Sequence, residues 1–327
     1  MADSPAGTAR ALRALIVAGM LAAAAGATAT APARADDTIS TDPAVGEVTG
    51  MAADPGRKVY WVPARTSGQV RAVGADGKVK GTVSYGATPQ DVQAVSFHDS
   101  RVWVGDVGDR TGSRDTVAAY RFGDLAYGGT APYRSFTLAY PDGAKDCGAM
   151  AVSRTGKIYL VTRGSKPGIY RTTGEPVPGG PTNTLVRVAD APANVTDASF
   201  NADGSSLVLR TLTSVHVLDA YKLTATAAAA LPEKAQGLGL TTALDGSQLA
   251  VSGLASPATL TNVAVPTSLA SVPPAPATVA PASPAATPSA AAATGPSAAS
   301  QNRGTLWALV VAGLISLASG AFVALKH

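Results

Sequence analysis

Cysteine, histidine and glutamate are all scarce in this chain, and each shortage narrows what the chain can be. A single cysteine, Cys147, excludes an intramolecular disulfide, and no Cys pair stands at zinc-ligand spacing. Cys147 reads as a small buried hydrophobe rather than a reactive thiol. Of the three histidines only His98 and His216 fall in the foldable part, and no H-E-x-x-H is present. His98 sits beside Asp99 in an expected turn and His216 alternates in "SVHVL", so both read as surface or strand residues rather than bases. There is no G-x-S-x-G and no phosphate-cradling glycine loop. Of the 22 acidic residues only Glu47, Glu175 and Glu233 are glutamate. Aspartate suits turns and glutamate suits helices, so the bias points to β-structure with many turns. A charge excess is missing too. The formal +4 comes from the two ends, and the 21 basic residues of 36–302 face 21 acidic ones. No basic field exists to attract nucleic acid.

The long apolar runs lie at the ends. Arg10 and Arg13, the run "ALIVAGMLAAAA" from Ala14 and the Ala33-Arg34-Ala35 step describe a secretory signal segment over 1–35. Without a Cys after the run or a twin arginine, the ordinary secretory route without a lipid anchor is expected. Thr305 to Leu325 is 21 residues without a charge, enough to cross ~30 Å of hydrocarbon. Trp307 stands at its outer end, and Lys326 and His327 follow as a short inner tail. The expectation is a single-pass cell-membrane protein with its N-terminal domain outside and a transmembrane helix in 303–327. Residues 267–302, rich in Ala, Pro, Ser and Thr with seven prolines and no charge, read as a disordered linker. As polyproline II it would reach about 110 Å.

Between the ends, 36–266 carries a repeat. The runs "KVYWV", "RVWVG", "KIYLV", "SLVLR" and "QLAVS" have their first apolar residues at Val59, Val102, Ile158, Leu207 and Leu249, spaced 43, 56, 49 and 42 apart. A turn signal precedes each, Asp203-Gly204 and Asp245-Gly246 being the plainest. A short apolar run lies before each turn and another after each strand; the first four units add a fourth. Four antiparallel strands in each unit of ~40–50 residues is the signature of propeller blades. The expected fold is an all-β propeller of five blades, or six if the long second unit hides one. The fifth unit lacks an outer strand, which the segment 37–47 is placed to supply.

Aligned on Ala94, Ala149 and Ala198, the innermost strands bring Asp91, Asp146 and Asp197 toward one mouth of the channel. Asp106 and Asp109, in "RVWVGDVGDR", follow the second strand of unit two and belong to the same end, because adjacent strands run antiparallel. These segments, with "KDCGAMAVSRTGKIYLVTRG", "VTDASFNADGSSLVLRT" and "AQGLGLT", resemble secreted actinobacterial β-propeller proteins of the broad WD40/TolB-like grouping, including esterase-like phytase relatives. The resemblance covers roughly 48–255. It implies Asp-x-Glu-Ala, Gly-Asp-x-Gly-Asp-Asn and Gln-Gly-Glu at the mouth. This chain keeps Asp91, Asp106, Asp109 and Asp146 but has Gln93, Gly148 and Leu238 in place of glutamate and Arg110 in place of asparagine.

Two expectations follow. Asp91, Asp106, Asp109 and Asp146 either form a residual cation site, for which Ca²⁺ is the candidate, or cap turns and pair with Arg110 or Lys145. The protein is either a non-catalytic, monomeric surface module binding an unknown protein or envelope ligand, or a Ca²⁺-dependent esterase or phosphoesterase working through the mouth carboxylates. No catalytic residue is assigned.

Overall fold

The structure is a computed structural model that describes residues 38–270. The expected signal segment, the run 305–325 and the linker beyond Ala270 lie outside the described residues. Among the described residues no helix is long and apolar enough to cross a membrane.

The fold is all-β and of propeller type. Meander one comprises β2 (Ala52–Asp54), β3 (Val59–Pro63), β4 (Gln69–Gly74) and β5 (Val79–Ser84). Meander two comprises β6 (Val92–His98), β7 (Arg101–Asp106), β8 (Val117–Phe122) and β9 (Tyr133–Ala139). Meander three comprises β10 (Cys147–Val152), β11 (Ile158–Thr162), β12 (Gly168–Thr172) and β13 (Asn183–Asp190). Meander four comprises β14 (Val195–Phe200), β15 (Ser206–Thr211), β16 (Ser214–Asp219) and β17 (Ala225–Ala230). In the last sheet β18 (Leu240–Thr242), β19 (Leu249–Ser252) and β20 (Thr259–Val263) continue into β1 (Thr38–Ser40). The chain start therefore completes the sheet at the end of the repeat, with Thr38 opposite Thr261 and Ser40 opposite Thr259. Two short 3-10 turns, Pro43–Val45 and Glu233–Ala235, are the only helical elements described.

The turn residues expected from the sequence make the hairpins. Asp99 and Ser100 join β6 to β7 with φ of 50° and 57°, and Gly204 and Gly246 turn at 72° and 75°. β2, β6, β10, β14 and β18, the first strand of each sheet, contact one another in a closed series, with β18 returning to β2.

Five apolar clusters sit at the five junctions. Trp61 and Val83 of meander one pack with Val104 and Phe122 of meander two. Phe136 and Leu138 meet Met150 and Leu160. Val161 and Ile169 meet Ala198 and Leu209. Val208 and Val217 meet Leu240 and Val251. Leu260 and Ala250 meet Tyr60 and Val62. A single four-stranded sheet has too little apolar surface to be stable alone, and each of these gains it from both neighbours.

Four of the five outer edges are paired or bridged. β9 and β13 lie parallel at Leu138–Asn183 and Ala139–Thr184, which fuses meanders two and three into one eight-stranded sheet. Ser84 of β5 bridges Thr130. Along β17, the amide of Ala228 donates to Ser268 O at 3.0 Å and Ala270 N donates to Ala228 O at 3.1 Å. Residues 268–270, expected in the linker, thus seal an edge strand. The reason is that an open row of amides and carbonyls takes whatever extended chain lies beside it.

Candidate functional site

The mouth is built by a simple rule of antiparallel pairing. Residues leading into a first strand and residues leaving a second strand share one end of the sheet. Asp91 and Asp146 lead into β6 and β10, and Asp197 stands near the start of β14; Arg65 and Arg163 follow β3 and β11, and Asp106 and Arg210 stand near the ends of β7 and β15. Sequence reasoning collected the acids and missed the arginines.

Asp91 Oδ1 accepts from Arg65 Nε at 2.8 Å and from Gln93 Nε2 at 2.7 Å. Gln93 Oε1 in turn accepts from Arg163 Nη2 at 2.9 Å. Arg163 Nε lies 3.3 Å from Asp146 Oδ2, an ion pair without hydrogen-bond geometry. The other Asp146 oxygen accepts from Asp109 N at 3.0 Å. Asp109 takes the amides of Ser113 and Arg114 at 3.0 and 2.9 Å, and Thr111 Oγ1 at 3.3 Å. The Arg114 side chain closes the series, gripping Asp106 with Nη1 at 3.0 Å and Nη2 at 3.1 Å. Asp106 Oδ1 also accepts from Asp91 N at 2.8 Å. The structure therefore brings Asp91, Asp106, Asp109 and Asp146 together, in one continuous network with Arg65, Arg114, Arg163 and Gln93. Arg110 is exposed and outside it, and Lys145 pairs with Asp142 at 3.1 Å.

Glycines make room for this network. At Gly148 a Cβ would collide with the Val195 carbonyl and stand 2.9 Å from Arg163 Nε. The side chain of Arg163 thus passes where the resemblance implied a glutamate. At Gly108, inside the second Gly-Asp step, a Cβ would press on the Asp91 carboxyl and Gln93 Cγ.

Asp197 stands apart. It is fully buried and accepts from Ala198 N at 2.9 Å, Leu240 N at 2.7 Å and Met51 N at 3.2 Å. It ties meanders one and four to the last sheet and shares no hydrogen-bond partner with Asp91 or Asp146. Burial drives its carboxyl well above the usual range, against the pull of those amides and of Arg210. Arg210, opposite it in the β14–β15 ladder and also fully buried, donates to Ala235 O at 2.6 Å, Ser252 O at 2.8 Å and Gly239 O. Burial pushes the guanidinium down to about 9, which still leaves it charged at neutral pH.

At Asp109 burial works upward, but the Arg114 and Ser113 amides and the Thr111 hydroxyl outweigh it, so its pKa lies below the ordinary 3.8. A folded value below the unfolded one means stability present above about pH 4 and lost as pH falls through the folded value. Asp197 has the opposite sign, so the comparison needs a variant. Asp109→Asn is expected to lose less stability than the parent between pH 4 and pH 2, read as urea midpoints; an equal loss contradicts the assignment.

The remaining candidates for chemistry lie elsewhere. Cys147 is buried, its Sγ donating to Ala149 O at 3.1 Å, and burial pushes the thiol up to about 11. His216 Nε2 and Ser214 Oγ are 2.9 Å apart within β16, and burial lowers the imidazole. His98 ends β6 at the face opposite the mouth.

A hard cation needs six to eight oxygens with several carboxylates free to turn toward it. Here three guanidiniums already supply positive charge to Asp91, Asp106 and Asp146, and backbone amides hold Asp109. Among the described residues no group of three or more His, Cys, Asp or Glu is disposed to hold a metal ion.

No family model matches the chain, and no curated protein matches it. Among solved structures, a gluconolactonase from Xanthomonas campestris is 13% identical with a TM-score of 0.41, over 65% of this chain and 71% of that one. A PQQ-bound aldose sugar dehydrogenase from Streptomyces coelicolor is 12% identical with a TM-score of 0.41, over 68% of this chain and 92% of that one. At that level neither likeness bears on chemistry.

Proposed function

We propose that this chain is a cell-surface binding module: a five-bladed propeller, exported by the segment 1–35, raised on the Pro/Ala-rich linker and held by a single span at 305–325. It binds a protein or envelope ligand as a monomer and catalyses no reaction. One observation carries this reading. Every aspartate at the mouth is occupied by an arginine or by backbone amides, in a network that runs unbroken from Arg65 to Asp106. A general base needs a carboxylate within reach of a substrate proton, and a metal-dependent hydrolase needs carboxylates to hold the metal. These are already engaged by the protein itself.

The test is a screen of the full chain against carboxylic esters and phosphoesters, with Ca²⁺ and with EDTA, alongside thermal unfolding under both conditions. The reading expects no turnover and equal melting temperatures. Turnover that disappears in Asp106→Ala while the protein stays folded, or a melting temperature raised by Ca²⁺, would overturn it in favour of a Ca²⁺-dependent hydrolase.

A further inference from the structure

The face opposite the mouth carries a cavity of about 430 Å³. Its walls are the β6–β7 hairpin with His98 and Arg101, the β10–β11 turn with Arg154, the start of the β12–β13 loop with Glu175, and the side chains of Trp103 and Arg121. Arg121 is the unusual member. It lies directly opposite Arg134 in the β8–β9 ladder, and like charges so placed repel. Its guanidinium carbon sits 5.2 Å from the Trp103 ring centre and 5.3 Å from that of Phe136. No hydrogen bond or ion pair to it exists among the described residues. Burial, then repulsion from Arg101 and Arg134, weakens its hold on its proton. Among the described residues Arg101 has one ion pair, with Asp99 at 4.0 Å. Trp103, 3% exposed, has its Nε1 buried without a hydrogen-bond partner.

The ring contacts stabilise Arg121, but its facing Arg134 and its missing acceptor each have a cost. A guanidinium that is partly dehydrated, stacked on rings and without an acceptor retains all five N–H donors in a fixed plane. A planar or tetrahedral oxyanion matches that fork and cancels the Arg121–Arg134 repulsion. The mouth network has every acid matched by donors; here Glu175 and Asp99 offset part of the positive charge, and Arg121 has no acceptor within hydrogen-bond reach among the described residues.

We propose that the cavity between meanders two and three is a binding site for an oxyanion, a carboxylate or phosphate group on a small ligand, received by Arg121 and assisted by Arg101, while Arg154 at its edge already donates to Asp203 O at 2.8 Å. Asp99 and Glu175 at the rim limit it to singly docked groups and disfavour polyanions. The inference concerns a face remote from the mouth and stands whatever the mouth does.

The full chain, titrated with inorganic phosphate and with acetate against chloride at equal ionic strength, tests this through tryptophan fluorescence and melting temperature. A saturable change with either anion is expected, and which of the two elicits it identifies the group. Arg121→Gln is expected to weaken that binding about tenfold or more. Arg101→Gln, at an exposed hairpin tip, keeps the fold in case Arg121→Gln does not, and is expected to weaken binding several-fold. No saturable response to either anion, or affinity unchanged in both folded variants, overturns the proposal.

Discussion

Arg210→Met should destabilise the protein by about 3–5 kcal/mol, the range for stripping one partner from a buried charged group. The side chain is fully buried, so methionine fills much of its volume and the loss isolates the polar part. Arg210 donates to the carbonyls of Ala235, Ser252 and Gly239, all in the last sheet or the turn leading into it. Each carbonyl left without this donor costs about 1–3 kcal/mol where no water replaces it. Gly239 O keeps the amide of Ser252 at 3.0 Å, which moderates the total. Asp197, across the ladder, would then hold its carboxyl in an apolar interior with no positive charge near it. It would take up a proton more readily, so the loss in the variant should shrink as the pH is lowered. Adding Asp197→Asn should cost less in the Arg210→Met background than in the parent, because the two charges stabilise each other. Urea unfolding monitored by fluorescence gives the midpoints; a loss below about 1 kcal/mol would mean that these carbonyls find other partners.

This latch explains how the last sheet is held. β18 has three residues and β19 four, too short to pair strongly. The Asp197 carboxylate binds the amide that opens β18, and Arg210 binds the turn before it and the end of β19. Polar groups thus fix at the seam what longer ladders fix elsewhere.

The strands were legible because three local signals agreed: an alternating apolar run, a turn residue that tolerates positive φ, and a pattern that occurred five times at a similar spacing. Even "ATAAAA", which favours helix by propensity, was readable as β17 from its place in the unit. The role of β1 was legible from a shortage, since the last unit had three strands and the chain start offered one. The parallel β9–β13 contact and the pairing of residues 268–270 along β17 were not. Edge pairing depends on where loops arrive in space, and no periodicity encodes that. At the mouth, the aspartates could be gathered by aligning first strands. Their partners could not be found that way. Arg65, Arg163 and Arg210 leave second strands, and Arg114 comes from a loop, so the alignment needed was the second strand's exit. Asp197, which aligns with Gln93 and Gly148 and stands two places on from the Asp91 and Asp146 position, was expected at the same mouth, yet it is sealed among Met51, Ala198 and Leu240 rather than sharing their network.

The chain start closes the ring by pairing with its last strand. Thr38 and Thr261 are 223 residues apart and face each other across β1 and β20, with their hydroxyl oxygens 3.0 Å apart. Facing positions in an antiparallel pair are within disulfide reach. In the double variant Thr38→Cys, Thr261→Cys, the buried Cys147 thiol is out of competition. Under mild oxidation the two new cysteines should join within one molecule, and a loop of that length should stabilise the protein by up to about 5 kcal/mol. Peptide mapping by mass spectrometry without reductant decides the matter. A 38–261 disulfide in monomeric protein with a raised melting temperature is the predicted result; free thiols, or disulfides only between molecules, would contradict a ring closed by its own N-terminal strand.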